Sequence, residues 1–393
     1  MSARVAGLGA VALSAVLAGS ACAQGSALER RVLAVGDGRA AFSFPARPDA
    51  CGDGASWYRV GTDSWYGRTV EVYDAASPRA ACEAGPVRVV VTLVAREVSR
   101  VEAFVGPLRT EEGITDLGPV EGRDATAWLL QLARTAGGRA ARDAIAPVTL
   151  ARDGGAAEGL AAIARDDDRS RDTRRAAVGA LLRLQGGEGV TTLVTLSGRE
   201  DEWLAGEALR VLGRSGDPRA RQHLRAVLGD ARQDEARRRV AAGGLGGERA
   251  TGEDAALLRA GFARMETDRG REAVLSAVAS VGGRTNAQWL MGVAKDGRHS
   301  PSVRRRAVSL AERAGATGAD LAALYDGVED SETRGALIGA LASEGSRPAR
   351  EKLAAIATST ETPAIRRRAI AALERFNSDE TREVLTTLAV PRP

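Results

Sequence analysis

A break between helical segments recurs at an almost constant interval through residues 139–390, and this repeat restricts the possible folds more than any other feature of the sequence. Neighbouring breaks are 30 to 33 residues apart. They fall at Gly154, Gly186, Gly216, Arg249, Gly282, Gly315, Gly345 and Asn377. A period of this length, with apolar residues at helical spacing between the breaks, is typical of arrays built from helical hairpins.

The first helix of each hairpin has apolar residues at fixed distances from the break. Four residues before the breaks stand Leu150, Leu182, Leu212, Leu245, Val278, Ala311, Leu341 and Leu373. Eight residues before them stand Ala146, Val178, Ala208, Ala241, Val274, Ala307, Leu337 and Ala369. Because residues i and i+4 lie on the same side of a helix, the two positions form one apolar stripe.

The second helix begins its own apolar stripe eight or nine residues after the break, at Ile163, Val194, Leu224, Leu257, Leu290, Leu324, Leu353 and Leu385. Neither helix of such a hairpin can bury its stripe alone, so neighbouring hairpins must stack. The sequence therefore predicts a mainly α protein, a right-handed α-solenoid of about eight helical hairpins over residues 139–390. Within it, Gly243 and Gly244 each cost roughly 1 kcal/mol against alanine, which predicts a local weak point.

Two first helices carry a motif that resembles a known family. Residues 303–311 (VRRRAVSLA) and 365–373 (IRRRAIAAL) look like the V-R-x-x-A-x-x-A-L helix of short HEAT repeats, the type also found in phycobilin lyase subunits. The resemblance implies an α-solenoid whose second helices line a concave, partner-binding surface, and it specifies architecture rather than chemistry. Deoxyhypusine hydroxylases of this family need paired His-Glu motifs for iron. Neither His223 nor His299 is followed by Glu, which excludes that branch.

A segment of different character precedes the repeats. Eight of the chain's fourteen aromatic residues lie between Phe42 and Phe104, among β-branched runs that alternate as half-buried strands do. The predicted strands are a hairpin of 32–35 with 40–44, a pair at 56–60 and 64–66, a strand at 87–94 and its return at 98–105. We therefore expect a small antiparallel β-rich domain at residues 27–122, followed by a connecting helix at residues 124–138.

Two motifs of this domain have a functional interpretation beside a structural one. The repeated Ser-Trp-Tyr of residues 56–58 and 64–66 is either an aromatic platform for a sugar or peptide, or a packing cluster of the kind that small sheets need. The segment 51–54 is either a cation loop or a turn, and it lacks the acidic ligands at alternate positions that calcium loops show. We favour the structural interpretation of both.

The first 23 residues have the pattern of an export signal. Arg4 provides a positive start, residues 5–17 are uncharged and mostly apolar, and Ala21-Cys22-Ala23 is a small-residue cleavage site. The alternative is a lipidated Cys22, although glycine stands where a lipobox usually carries leucine. These features predict a signal peptide at residues 1–23 and a periplasmic or secreted protein, with a lipid anchor through Cys22 as the alternative.

Removal of the signal would leave Cys51 and Cys82 as the only cysteines. In an oxidising compartment such a pair is expected to form a disulfide, and the alternative is two buried thiols. Closure of the intervening loop would remove roughly 3–4 kcal/mol of chain entropy from the unfolded state.

The chain contains little material for catalysis. His223 and His299 are its only histidines, which leaves few options for metal sites, Ser-His-Asp triads or Cys-His pairs. No phosphate-binding loop or zinc motif is present, and a net charge of +4 over 393 residues does not indicate nucleic acid. We therefore expect no catalytic, cofactor-binding or metal-ligating residues, no cofactor, no transmembrane segment and no nucleic-acid partner.

Arginine clusters recur near the starts of the first helices, and they have two interpretations. One is a basic stripe that binds an acidic partner through guanidinium–carboxylate pairs. Its candidate residues are Arg175, Arg238, Arg305 and Arg367. The other is pairing between repeats, because acidic residues precede the clusters near helix N-termini. We favour pairing between repeats.

These observations together predict an exported, non-catalytic scaffold that binds a protein or peptide partner in the cell envelope through the solenoid surface. The alternative is an enzyme or a small-ligand sensor seated in the N-terminal β-rich domain, with the repeats as a docking arm.

Overall fold

A computed structural model describes residues 26–60, 64–67, 82–152, 155–247 and 249–376. The chain divides into two compact units, Met1–Gly154 and Gly155–Pro393. The first unit therefore extends beyond residue 122, where the sequence analysis placed the end of the β-rich domain.

The first unit combines two small sheets with four helices among its described residues. In chain order its elements are α1 (Ala27–Leu33), β1 (Gly38–Phe44), β2 (Ala50–Gly52), β3 (Trp57–Val60), β4 (Ser64–Gly67), β5 (Val87–Val94), β6 (Glu97–Val105), β7 (Ile114–Pro119), α2 (Gly122–Thr135), α3 (Gly138–Asp143) and α4 (Ile145–Val148). The predicted strand pair β3–β4 and the predicted hairpin β5–β6 are both confirmed.

The larger sheet is mixed, whereas the sequence predicted an antiparallel one. Its strand order is β6-β5-β1-β7, with antiparallel pairing of β1 with β5 and of β5 with β6, and parallel pairing of β1 with β7. The parallel pair arises because the chain crosses over after β6 and pairs with the opposite edge of β1. Strands β2, β3 and β4 form the second sheet, which is antiparallel.

The core of the larger sheet forms where β1 and β5 pair. Phe42 and its partner Val89 are fully buried, and the Phe42 ring meets Trp128 of α2 edge-on with 5.5 Å between ring centroids. Helix α2 therefore covers one face of the sheet and does not merely connect two domains. On the other face, Ala41, Val90 and Phe104 form a smaller buried cluster.

The predicted hairpin of residues 32–35 with 40–44 is wrong, because residues 27–33 form helix α1. The Ser26 side chain accepts a hydrogen bond from the Glu29 amide and so caps the helix. Leu28 and Val32, four residues apart, are both buried, as one face of a helix requires. Only the second strand of that prediction exists, as β1.

The hairpin predicted to open the array is divided between the two units. Its first helix is split into α3 and α4, since Pro147 has no amide hydrogen to continue the bonding of α3. The segment that follows α4 belongs to the first unit, where the Leu150 carbonyl accepts the Arg47 amide and Ala151 pairs with Ala46. The array therefore begins at α5 (Ala157–Arg165), after residue 139.

Cys51 and Cys82 are joined by a disulfide with 5.2 Å between their Cα atoms. Beside it, the Asp53 carboxylate accepts hydrogen bonds from the amides of Ala55 and Ser56, which is the geometry of a turn. Residues 1–23, with Cys22 and the predicted signal peptide, lie outside the described residues.

The second unit is an array of helices among its described residues. They are α5, already given, then α6 (Arg171–Leu181), α7 (Glu188–Ser197), α8 (Glu202–Gly213), α9 (Pro218–Gly229), α10 (Glu235–Leu245), α11 (Gly252–Phe262), α12 (Asp268–Val281), α13 (Arg284–Lys295), α14 (Pro301–Ala311), α15 (Gly318–Asp326), α16 (Ser331–Glu344), α17 (Arg347–Thr358) and α18 (Pro363–Leu373). No helix in the described part of the chain is both long and apolar enough to cross a membrane.

These helices form two layers. The even-numbered helices α6 to α18, which we call the first layer, each pack on the next member of that layer. The odd-numbered helices α5 to α17 form the second layer. Each second-layer helix from α7 onward packs more extensively on the first-layer helix that follows it in the chain than on the one that precedes it. The tightest antiparallel pairs are therefore offset by one helix from the predicted hairpins.

The predicted apolar positions are buried almost throughout. At the first-helix positions from α6 onward only Leu182 is not fully buried. In the second layer Val194 and Leu257 are half-buried, and the preceding Leu193 and the following Leu258 are buried in their place. Leu385, in the last predicted second helix, lies outside the described residues.

Gly243 and Gly244 differ in their surroundings, which the prediction of a weak point did not anticipate. An added Cβ at Gly243 would meet nothing within 4 Å, whereas one at Gly244 would lie 2.9 Å from the Cα of Gly213 on α8. Gly244 therefore permits a close crossing of α8 and α10, and only Gly243 fits the prediction of a glycine that merely weakens its helix.

Candidate functional site

The first-layer helices share one capping arrangement, which aligns their residues position by position. Each begins after a side-chain N-cap that accepts a backbone amide of the first turn. The caps are Ser170, Asp201, Asp234, Thr267, Ser300, Asp330 and Thr362. Equal distance from these caps therefore means an equal place on each helix.

The fourth residue after the cap is an arginine in six of the seven first-layer helices. We call these the rung arginines: Arg174, Arg238, Arg271, Arg304, Arg334 and Arg366. Four of them pair with an acid at, or just before, the cap of the next first-layer helix. The pairs are Arg174–Asp201 at 2.5 Å, Arg238–Glu266 at 3.3 Å, Arg304–Asp330 at 2.7 Å and Arg334–Glu361 at 2.7 Å.

The rung arginines belong to the framework of the array. Arg174 and Arg238 are only 8% and 4% exposed. Arg174 also donates through Nε to the Ala164 carbonyl oxygen at 2.9 Å, and Arg334 does the same to Val328 at 2.6 Å. These pairs link each first-layer helix to the next, and loss of the acid would leave the buried guanidinium of Arg174 or Arg238 uncompensated. The pairing between repeats that the sequence analysis favoured is therefore present.

Two of the acids that pair with rung arginines, Asp201 and Asp330, have lowered pKa values. Burial opposes ionisation of Asp201, but the Leu204 amide and the Arg174 guanidinium outweigh it and lower its pKa. Burial opposes ionisation of Asp330 too, and the hydrogen bonds from Thr333 together with Arg304 lower its pKa.

The second layer has a buried charge cluster of its own. Asp254 of α11 is completely buried, and it accepts hydrogen bonds from Arg221 at 2.7 Å and from Arg225 at 2.6 Å. It also forms a capping box with Thr251. Burial opposes its ionisation, but the Arg225 hydrogen bond and the bonds from Thr251 lower its pKa. Sequence reasoning missed Asp254; the Thr-x-x-Asp spacing of a capping box is the signal that points to it.

The fifth residue after the cap lies on a more exposed side of the same helices. Every second first-layer helix has arginine there, and we call these four the row arginines: Arg175, Arg239, Arg305 and Arg367. The helices between them have Gly206, Glu272 and Gly335 at this position.

The structure thus changes one member of the predicted basic stripe. Arg238 is a buried rung arginine, one residue out of register with the other three candidates, and Arg239 takes its place in the row. Arg237, Arg238 and Arg239 are alike in the linear sequence, which concealed this register, whereas alignment on the N-caps reveals it.

The row arginines are open to solvent to different degrees. The side chains of Arg175 and Arg305 are 52% and 46% exposed. They form ion pairs with Glu207 and Glu332, respectively, of the following first-layer helices. Arg367 is exposed and Arg239 is half-buried, and neither forms an ion pair with another described residue. Exposed pairs contribute little to stability, so these guanidinium groups are available for other carboxylates.

A cleft of about 460 Å³ lies beside the start of α8. It is lined by Arg165, Asp167, Gly198, Arg199, Glu200, Asp201 and Leu204. Next to it, the Arg174 guanidinium lies 4.7 Å from the ring centroid of Trp203, a cation–π contact that sequence reasoning missed. The cleft carries both signs of charge.

The two histidines lie in different contacts of the second unit. His223 Nε2 lies 2.8 Å from the hydroxyl of Ser197, and burial lowers the pKa of His223. Ser197 is itself buried, and its hydroxyl donates to the Val194 carbonyl oxygen. His299 packs edge-on against Phe262. In the described ranges no group of three or more His, Cys, Asp or Glu side chains is arranged to hold a metal ion.

Comparison with known proteins gives one family match. Residues 157–246, which span α5 to α10, match the model of HEAT repeats. No curated protein shows significant similarity to the sequence.

Three solved structures are similar at low identity. Human deoxyhypusine hydroxylase is 20% identical, with 60% of this chain and 90% of that one covered and a TM-score of 0.28. The CpcE–CpcF complex of phycocyanin lyase from Nostoc sp. PCC7120 is 18% identical, with 71% and 97% covered and a TM-score of 0.24. Lipovitellin is 12% identical, with 76% and 41% covered and a TM-score of 0.34. At these values no activity, ligand or partner carries over to this chain.

The family match rests on the helices whose caps, rungs and buried stripes recur through the second unit. The second unit of this protein is a HEAT-like repeat array.

Proposed function

We propose that this protein is an exported, non-catalytic scaffold that binds a protein or peptide partner in the cell envelope through the first layer of its repeat array. The observation that carries the proposal is the contrast between adjacent arginines. Four of the six rung arginines pair with an acid of the next first-layer helix, and their side chains are at most 24% exposed. Of the row arginines, Arg175 and Arg305 are about half exposed and form only surface pairs, and Arg239 and Arg367 form no ion pair with another described residue. Repeat arrays present extended surfaces of this kind to protein partners.

Export is the part of the proposal that rests on the N-terminal sequence and on the disulfide. The Cys51–Cys82 bond is compatible with an oxidising compartment outside the cytoplasm. Mass spectrometry of the mature protein tests it: we expect a start at Gln24, whereas a lipid-modified Cys22 would establish the anchored alternative.

Site-specific photo-crosslinking in the native envelope tests the binding role. A crosslinker at position 305 is expected to capture a defined partner, and one at the exposed Gln288 of the second layer serves as the matched control. Equal capture at both positions, or at neither, would contradict the assignment to the first layer.

The alternative function is an enzyme or small-ligand sensor seated in the first unit. Because that unit extends to Gly154, its assay requires the full chain and a fragment that ends there, not at residue 122. Turnover that survives removal of the second unit would favour this alternative.

A further inference from the structure

The row arginines lie on alternate first-layer helices, so their spacing is twice that of the array. Packed helices are about 8–10 Å apart, which places successive row arginines about 16–20 Å apart along the layer. One residue of extended chain spans about 3.3 Å. Successive arginines therefore correspond to a step of about five to six residues in an extended peptide.

The helices between the row arginines have no arginine at the equivalent position. Gly206 and Gly335 have no side chain at the equivalent position, and Glu272 is an acid. At Gly335 an added Cβ would lie 1.9 Å from Nη1 of Arg368, so the glycine leaves room for an arginine of the next first-layer helix. The row arginines are thus separated from each other by one intervening helix, and the Arg368 guanidinium lies over Gly335 between Arg305 and Arg367.

This pattern discriminates between kinds of anionic ligand. Nucleic acid and polyphosphate carry closely and evenly spaced charges, one per 3.4 Å along each strand of a DNA duplex. Such a ligand would bring phosphates against Glu272 of the intervening helix α12. A polypeptide can place its carboxylates at intervals and present neutral residues between them.

We propose that Arg175, Arg239, Arg305 and Arg367 bind one extended acidic segment of the partner protein, with carboxylates that recur every five to six residues. Each guanidinium group would bind one carboxylate of the segment through two parallel hydrogen bonds. The inference rests on the proposed function and adds that the partner carries an extended acidic segment.

The test measures the affinity of fluorescent peptides for the full chain by anisotropy at about 50 mM salt, where charge pairing is weakly screened. One peptide has four Glu-Glu pairs in a Gly/Ser background, repeated every six residues, and the other has the same composition with all glutamates in one block. We expect the spaced peptide to bind at least fivefold more tightly.

Two quadruple variants identify the surface. Replacement of the four row arginines by glutamine is expected to weaken binding of the spaced peptide at least tenfold. The control replaces four exposed arginines at the opposite ends of the helices, Arg214, Arg219, Arg313 and Arg347, and should change affinity less than twofold. It removes the same net charge, so it separates the row from a general electrostatic effect.

Three results would overturn the inference: a block peptide that binds as well as the spaced one, inorganic polyphosphate that binds better than either, or a row variant that retains its affinity. If one of these is found while position 305 still captures a partner in the envelope, the scaffold function stands and the acidic-segment inference falls.

Discussion

Adjacent charged residues in this array have different roles, and the burial of each side chain determines its role. Asp254 is completely buried between two arginines, whereas the adjacent Glu253 is 73% exposed in its side chain. The same contrast separates the rung arginines from the row arginines.

Replacement of Asp254 by asparagine should destabilise the second unit by about 2–4 kcal/mol, because Arg221 and Arg225 would lose their shared counter-charge. Urea unfolding followed by circular dichroism measures the change. Glu253→Gln is the matched control and should cost less than about 0.5 kcal/mol. Equal losses in the two variants would show that the cluster is not buried as described.

Acid should weaken the array through the same groups. Asp201, Asp254 and Asp330 have pKa values below the ordinary 3.8 in the folded chain. A carboxylate with a depressed pKa contributes stability that is complete above its unfolded value and is lost as the pH falls through its folded value. The free energy of unfolding should therefore fall steeply below about pH 4, in addition to a shallower fall from about pH 6.5 that the lowered pKa of His223 causes. Asp254→Asn should make the steep fall shallower, and an unchanged slope would contradict the assignment.

The two adjacent glycines of α10 should respond in opposite directions to alanine. Gly243→Ala adds a methyl group where there is open space, so it should stabilise by about 0.5–1 kcal/mol. Gly244→Ala would bring Cβ against the backbone of Gly213, so it should destabilise the unit by more than that gain. The shift in the urea-unfolding midpoint of each variant measures these effects. Stabilisation by both substitutions would mean that α8 and α10 do not cross closely.

At the scale of helices, the sequence predicts the second unit well because each helix repeats the same local signals. The apolar stripes that end four residues before the breaks are buried from α8 to α18. The register of the arginines was harder to predict, since Arg237, Arg238 and Arg239 are chemically identical in a linear sequence. Only the Asp234 cap distinguishes the buried Arg238 from its two half-buried neighbours.

Elements that depend on distant contacts were predicted less well. Residues 32–35 have the composition of a strand, but the Ser26 cap and the burial of Leu28 with Val32 favour a helix. The parallel pairing of β7 with β1 joins segments about 75 residues apart, and no local pattern specifies it. The boundary at residue 154 has the same cause, because the segment after α4 pairs with residues 46 and 47.

At the scale of the whole molecule, the chain consists of two units with separate means of stabilisation. The first unit relies on a small sheet core and one disulfide, and the second on stacked helices and charged rungs. Each should therefore respond to its own perturbation.

Replacement of both Cys51 and Cys82 by serine should cost the first unit about 3–4 kcal/mol, because the disulfide closes a separation of 31 residues. Hydrogen exchange with mass spectrometry should show faster exchange in β1 and β5, while helices α6 to α18 keep their protection. Loss of protection in both units would show that they unfold as one.

Adjacent arginines of this array divide into framework and surface groups, and a comparison of urea-unfolding free energies between two variants tests this division. One variant replaces three rung arginines, Arg174, Arg238 and Arg304, by alanine, and the other replaces the row arginines Arg175, Arg239 and Arg305. We predict that the rung variant loses at least about 3 kcal/mol and the row variant less than about 1.5 kcal/mol. Equal losses, or a greater loss in the row variant, would contradict the account.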